Sequence, residues 1–123
     1  IVRGNTSKEI VRMVREFGAT KVFFVSACPP VKFPCFYGVD MPTRGELAAA
    51  QRSVSEIEEY MGVDILMYQK IDDLVEAVTR KGEHNIDRPC MACLNGQYVT
   101  GDIDEQTMEN MEQQRNHERS QQK

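Results

Sequence analysis

Four cysteines, Cys28, Cys35, Cys90 and Cys93, are the residues of this 123-residue chain best suited to metal chemistry. Cys90 and Cys93 form a C-x-x-C, a spacing that lets two thiolates reach one metal from a tight turn. Tetrahedral sulfur coordination suits zinc or an iron–sulfur cluster. Such a centre needs two more ligands. Cys28 and Cys35 would complete a zinc site within the chain, whereas an iron–sulfur cluster could use Cys35 with a cysteine from outside it. A thioredoxin-like redox role fits less well, because the C-x-x-C does not lie between a strand and a helix. Nothing else suggests secretion, so in a reducing cytosol metal ligation or simple burial is expected in place of disulfides. The two histidines, His84 and His117, lie in polar surroundings and read as surface residues.

A second group opens the chain. Gly4 lets the backbone approach an anion closely, and Asn5, Thr6 and Ser7 offer side-chain donors ahead of a periodic apolar stretch. The free amides of a first helical turn would point at the same place, with the helix dipole favouring negative charge. These residue types also make an ordinary helix cap, and spacing leaves both readings open. A third group, Tyr37, Asp40 and Thr43, gathers around Gly38 and Pro42 after a predicted strand. Ligands of α/β folds usually bind there, and a structural turn followed by a cap is the alternative.

The positioning elements follow from periodicity. Ile10, Val11, Met13, Val14 and Phe17 share one helical face, Gly18 is the stop, and Thr6 with Glu9 has the spacing of a capping box. Residues 21–27, KVFFVSA, are apolar nearly throughout and predict a buried strand of a parallel sheet. Pro29, Pro30 and Pro34 then impose a long irregular connection. Thr43 with Glu46 and Ser53 with Glu56 predict two more capped helices, over 47–50 and through Ile57, Tyr60 and Met61 to a stop at Gly62. Residues 64–68 predict a short strand, and Ile71, Leu74, Val75 and Val78 one face of a helix that runs out near Gly82. This alternation predicts an α/β layer fold.

Three parts are expected: an α/β part over 1–82, a polar, turn-rich cysteine-bearing segment over 83–101 that acts as a clamp and not a core, and a polar tail over 102–123. The tail predicts a solvated helix or disorder and no chemistry. A net charge of -4, with no basic stripe gathering the 15 Lys and Arg, argues against nucleic-acid or anionic-membrane partners. No apolar run approaches the roughly 18 to 20 residues of a membrane span. The opening residues lack the pattern of a signal peptide, so the cytoplasm is the expected compartment.

Taken in order, these stretches resemble a known family. IVRGNTSKEIV is similar to the end of the phosphoribosyl pyrophosphate motif of type I phosphoribosyltransferases, in the form D-D-S-I-V-R-G-T-T-S found in the amidophosphoribosyltransferase family. FPCFYGVDMPTRGELAAA, SEIEEYMGVDILMYQKIDDLVEAV and CMACLNGQYVTGDID resemble successive landmarks of the same family, so the likeness covers residues 1–104. It implies that residues 1–82 are the C-terminal part of a type I phosphoribosyltransferase domain, Rossmann-like with a mainly parallel sheet. It also implies an enzyme that transfers glutamine-derived ammonia to phosphoribosyl pyrophosphate, giving 5-phosphoribosylamine in the first committed step of purine nucleotide synthesis. Magnesium would accompany the pyrophosphate, purine nucleotides would inhibit, and the protein would be a homo-oligomer.

Residue by residue, Arg3, Gly4, Asn5, Thr6 and Ser7 match the turn that holds the ribose 5-phosphate in that family, with Asn5 standing where Thr is commoner. Cys35, Cys90 and Cys93 match three of the four ligands of a structural 4Fe–4S cluster in the cluster-bearing branch. The fourth is expected outside this chain, and Cys28 matches no ligand position. The family's glutaminase nucleophile and the two aspartates of the motif have no counterpart in these residues, so no catalytic residue is assigned and the fragment alone is expected to be inactive. Two other readings stay open on the residues: a phosphoribosyltransferase-like regulatory module that binds nucleotides without catalysis, and a small zinc-binding structural protein.

Overall fold

A computed structural model describes residues 1–80, 86 and 88–121. Helix α1 (Asn5–Glu16) follows directly on Gly4, which adopts a left-handed conformation at φ 85° and serves as the N-cap without a side-chain hydrogen bond. The helix therefore starts too early for the expected Thr6–Glu9 capping box. Thr6 already lies in the first turn, and the Glu9 carboxylate accepts from Arg12 Nε at 2.9 Å.

Strand β1 (Phe23–Ser26) is shorter than the predicted 21–27 and pairs in parallel with β2 (Ile65–Tyr68), Phe23 opposite Ile65 and Ser26 opposite Tyr68. Between them come a 3-10 turn (Arg44–Glu46), α2 (Ala48–Gln51) and α3 (Val54–Met61). The other two predicted capping boxes form, Thr43 with Glu46 ahead of the turn and Ser53 with Glu56 ahead of α3. Gly62 closes α3 in the left-handed region at φ 72°. Beyond β2 lie α4 (Ile71–Val78), α5 (Ala92–Asn95) and α6 (Glu105–Gln121). Helix α4 ends at Val78 with Thr79 as its C-cap, short of the predicted stop near Gly82; Gly82 itself and His84 fall outside the described residues.

Val11, Ala48, Ala49, Ile57, Met61 and Leu66 form the main core, where α1, α2 and α3 meet one face of the sheet. The expectation of a wholly buried strand is corrected here. Phe23 is 58% exposed and Val25 64%, because alternate strand residues point to opposite faces and only one face is covered among the described residues. The apolar face of α1 behaves alike: Val11 is buried, while Ile10, Met13, Val14 and Phe17 are exposed.

A second core of Val31, Leu47 and Leu94, with Met41, Ile71, Leu74 and Met91 around it, joins the cysteine-bearing segment to the body. That segment is thus more than a clamp. Its short helix α5 went unpredicted because its four residues span too little sequence to show a period, yet it buries Ala92 and Leu94. The polar tail is helical and touches the body. The Arg44 N–H donates to Glu112 Oε1 at 2.8 Å, and the Arg115 guanidinium stands 5.8 Å from the Phe36 ring centroid.

Asp64, at the entrance to β2, ties three elements together. Its Oδ2 accepts from the Val22 N–H at 2.7 Å and from Arg15 Nη2 at 2.6 Å. The Val22 N–H, helped by the Arg15 guanidinium, holds this carboxyl below the usual carboxylate range. A lowered folded value gives stability that is present above the unfolded value, near pH 4, and lost as pH falls through the folded one. The expected result is a thermal midpoint that drops below about pH 4 more steeply in the wild type than in Asp64→Asn, the two curves converging in acid. A constant offset between them from pH 7 to pH 3 would contradict this role for the carboxylate.

Candidate functional site

Residues Val2 to Ser7 line an open pocket of about 350 Å³ at the N-terminus of α1. The left-handed Gly4 turns the chain so that its carbonyl accepts the Lys8 N–H at 2.9 Å, which starts the helix. The remaining amides of the first turn have no side-chain cap, and no acidic residue sits among them. Uncapped amides at the positive end of a helix dipole attract anions.

The surrounding fold grips this loop from two sides. On one, the Ala48 N–H donates to the Val2 carbonyl at 2.8 Å, and Arg3 Nη2 pairs with Glu46 Oε1 at 2.7 Å. Both side chains of that pair are well exposed, so it orders Arg3 more than it stabilises the fold. Glu46 also receives the N–H and hydroxyl of Thr43 through the capping box. On the other side, the Tyr60 hydroxyl donates to Asn5 Oδ1 at 2.9 Å, and a β-carbon at Gly4 would stand 3.4 Å from the Tyr60 ring. Lys8 Nζ lies 4.3 Å from the centroid of that ring, and the Arg52 guanidinium 5.0 Å. Sequence reasoning placed Tyr60 on a helix face and gave it no role. Its partner is 55 positions away, beyond the reach of any local signal.

Tyr37, Asp40 and Thr43 do not converge. The Tyr37 hydroxyl lies 2.9 Å from Thr100 Oγ1, Thr43 is occupied by Glu46, and Asp40 is exposed. These contacts belong to a structural turn followed by a cap.

The two cysteine-bearing stretches are fastened along their length. The Cys93 carbonyl accepts the N–H groups of both Lys32 and Phe33 at 3.0 Å. The Tyr98 hydroxyl, in a buried residue, donates to the Pro34 carbonyl at 2.7 Å, and the Phe36 and Tyr98 rings pack with centroids 5.2 Å apart. Gly96 is needed where it stands: its φ is 76°, and a β-carbon there would come within 2.9 Å of the Phe33 ring.

All four thiols are free, Cys28 and Cys90 exposed and Cys35 and Cys93 half-buried. The Tyr37 N–H donates to Cys35 Sγ at 3.4 Å. Burial raises the Cys93 thiol above its usual value, and the nearby Cys28, Cys35 and Cys90 raise it further. Burial, with Cys35 and Cys93 adding, pushes the Tyr98 phenol up to about 12. The cysteines therefore share one neighbourhood. Among the described residues, however, no group of three or more His, Cys, Asp or Glu is placed to hold a metal ion. The donor set itself, soft sulfur with an N–H to one sulfur, suits an iron–sulfur centre or zinc.

Among solved structures, the chain matches glutamine phosphoribosylpyrophosphate amidotransferase from Bacillus subtilis, complexed with ADP and GMP, with a TM-score of 0.71 and 42% identity over 80% of this chain and 22% of that one. The fold is that of a type I phosphoribosyltransferase domain, seen here in part. Among curated proteins, the chain is 46% identical over 116 residues to amidophosphoribosyltransferase from Pseudomonas aeruginosa, covering 94% of this chain and 23% of the relative. It is 43% identical over 100 residues to the enzyme of that name from Bacillus subtilis, covering 81% of this chain and 21% of the relative. The chain belongs to the amidophosphoribosyltransferase family and spans less than a quarter of the length of these relatives. No family model matches it.

Proposed function

We propose that this chain provides the 5-phosphate loop and the cluster-holding segment of an enzyme that makes 5-phosphoribosylamine from phosphoribosyl pyrophosphate and glutamine, the first committed step of purine nucleotide synthesis. The observation that carries the reading is the left-handed Gly4 turn delivering the uncapped amides of α1 to an open pocket, in a chain so similar to named amidophosphoribosyltransferases.

Arg3, Gly4, Asn5, Thr6 and Ser7 hold the 5-phosphate through backbone amides and side-chain donors. Anchoring that end of the sugar fixes where its anomeric carbon lies. Ammonia released from glutamine elsewhere in the protein then forms the new C–N bond there. The C–O bond to pyrophosphate breaks, pyrophosphate leaves with the electron pair, its charge offset by the magnesium that would accompany it, and the amine loses a proton. This chain contributes orientation, which converts a bimolecular encounter into a positioned one.

Cys35, Cys90 and Cys93 are three ligands of a 4Fe–4S cluster whose fourth ligand comes from outside these residues. When bound, the cluster would supply a structural cross-link, and the contacts of Cys93, Gly96 and Tyr98 with residues 32–34 hold the two stretches side by side. The natural divisions are 1–82 as the C-terminal part of a phosphoribosyltransferase domain, 83–101 as cluster-binding segment and 102–123 as polar tail. We place the protein in the cytoplasm as a homo-oligomer inhibited by purine nucleotides. The ADP and GMP of the Bacillus subtilis complex support the last point. No helix among the described residues is long and apolar enough to cross a membrane.

The complete protein, supplied with phosphoribosyl pyrophosphate, glutamine and magnesium, is expected to release one pyrophosphate per glutamate formed. Residues 1–123 alone are expected to release none. Turnover by those residues alone would overturn the site assignment, and binding of the sugar phosphate without pyrophosphate release by the complete protein would overturn the transferase reading in favour of a regulatory module.

A further inference from the structure

We propose that Tyr60 is a positioning residue that orients the Asn5 carboxamide, presenting its NH2 group and not its oxygen to the phosphate. This inference rests on the reading of residues 3–7 as a 5-phosphate loop.

A carboxamide has two faces of opposite sign, an acceptor oxygen and a donor nitrogen, and its terminal torsion is soft. Beside an anion one orientation adds a donor and the other adds repulsion. Asn5 therefore needs something to choose between them, whereas the hydroxyl of a threonine at that position rotates to donate unaided. The Tyr60 hydroxyl makes the choice by donating to Asn5 Oδ1 at 2.9 Å, so that the oxygen is occupied and the NH2 group is the part of the carboxamide left for an anion.

Tyr60 is itself held firmly. It lies on α3 between Ile57 and Met61, both nearly fully buried, in a helix fixed by the Ser53–Glu56 capping box at one end and by Gly62 at the other. Lys8 and Arg52 stand over its ring, at 4.3 and 5.0 Å from the centroid, and these cation–π contacts help to fix the ring. Tyr60 does not line the pocket formed by Val2 to Ser7 but borders the adjoining one with Asn5, Thr6, Lys8 and Glu9, and it reaches the loop through Asn5 and Gly4.

The test is the affinity of the complete protein for ribose 5-phosphate, measured by calorimetry in wild type, Tyr60→Phe, Asn5→Thr and the double variant. Tyr60→Phe is expected to weaken binding roughly tenfold, the scale of one hydrogen bond to a charged group. In the Asn5→Thr background the same change is expected to cost less than about twofold, because the hydroxyl no longer needs orienting. Asn5→Asp keeps an acceptor for Tyr60 but removes the donor, and is expected to lose affinity by more than Tyr60→Phe does. An equal loss from Tyr60→Phe in both backgrounds would show that the ring acts by packing, and would overturn the proposal. So would no loss in either, or wild-type binding by Asn5→Asp. A Gly4→Val variant, which moves the amides of the loop, separates the two levels. If it binds like wild type, the loop reading falls and this inference with it; if it loses affinity while Tyr60→Phe does not, only the role of Tyr60 falls.

Discussion

Replacing Gly4 with valine is expected to cut the affinity of the complete protein for phosphoribosyl pyrophosphate by about a hundredfold or more. The reason is conformational. Gly4 sits at φ 85°, a region that costs a residue with a β-carbon on the order of 1–3 kcal/mol and a β-branched one most. Space for the β-carbon is not the obstacle, since it would stand in ordinary contact with Tyr60 at 3.4 Å. The variant escapes strain by leaving the left-handed region, and that rotation turns the amides after residue 4 away from the pocket. Two charge-assisted hydrogen bonds lost at roughly 1.5–3 kcal/mol each account for the size of the effect. Gly4→Ala should show a smaller loss in the same direction. Equilibrium binding of ribose 5-phosphate and of phosphoribosyl pyrophosphate reads both variants. Undiminished binding by Gly4→Val would mean that the anion is held elsewhere.

Cys93→Ser carries the second large effect. Cys93 is half-buried, and its carbonyl receives two N–H groups from the stretch that leads to Cys35. A serine oxygen is a poor ligand for a soft iron–sulfur centre. Complete protein purified without oxygen should contain iron and acid-labile sulfide in about equal amounts, and the variant should lose most of both. Its thermal midpoint should fall by on the order of 5–10 °C, since a structural metal centre contributes directly to folding. Cys28→Ser, by contrast, should keep its iron. Stoichiometric zinc that is lost in both variants would replace the cluster by a zinc site that uses Cys28, leaving the phosphate loop untouched.

Much of this architecture was legible in the sequence because it is specified over short distances. The Ser53–Glu56 and Thr43–Glu46 boxes depend on residues three apart, and the parallel strands were found from runs of β-branched and aromatic residues. The same local reasoning failed at Thr6 and Glu9. There a left-handed glycine started α1 early, and a capping box needs its first residue outside the helix. It failed also on the burial of β1. Apolar residues on both faces show what a strand is able to bury, while exposure of Phe23 and Val25 depends on which neighbours are present.

By itself the sequence determined the order and type of the principal elements, the glycine at residue 4, the C-x-x-C and the family likeness, all carried by residue identity at short spacing. Only the tertiary structure decided that the 83–101 segment shares a core with Val31 and Leu47, and that α6 returns to Arg44. It alone decided that Tyr60 and Glu46 grip the opening loop from opposite sides. Those contacts join residues 43 to 68 positions apart, and no local pattern records them. They arise because burying Leu47, Ile57, Met61 and Leu66 brings distant segments together. Polar side chains then pair with whatever the packing sets beside them.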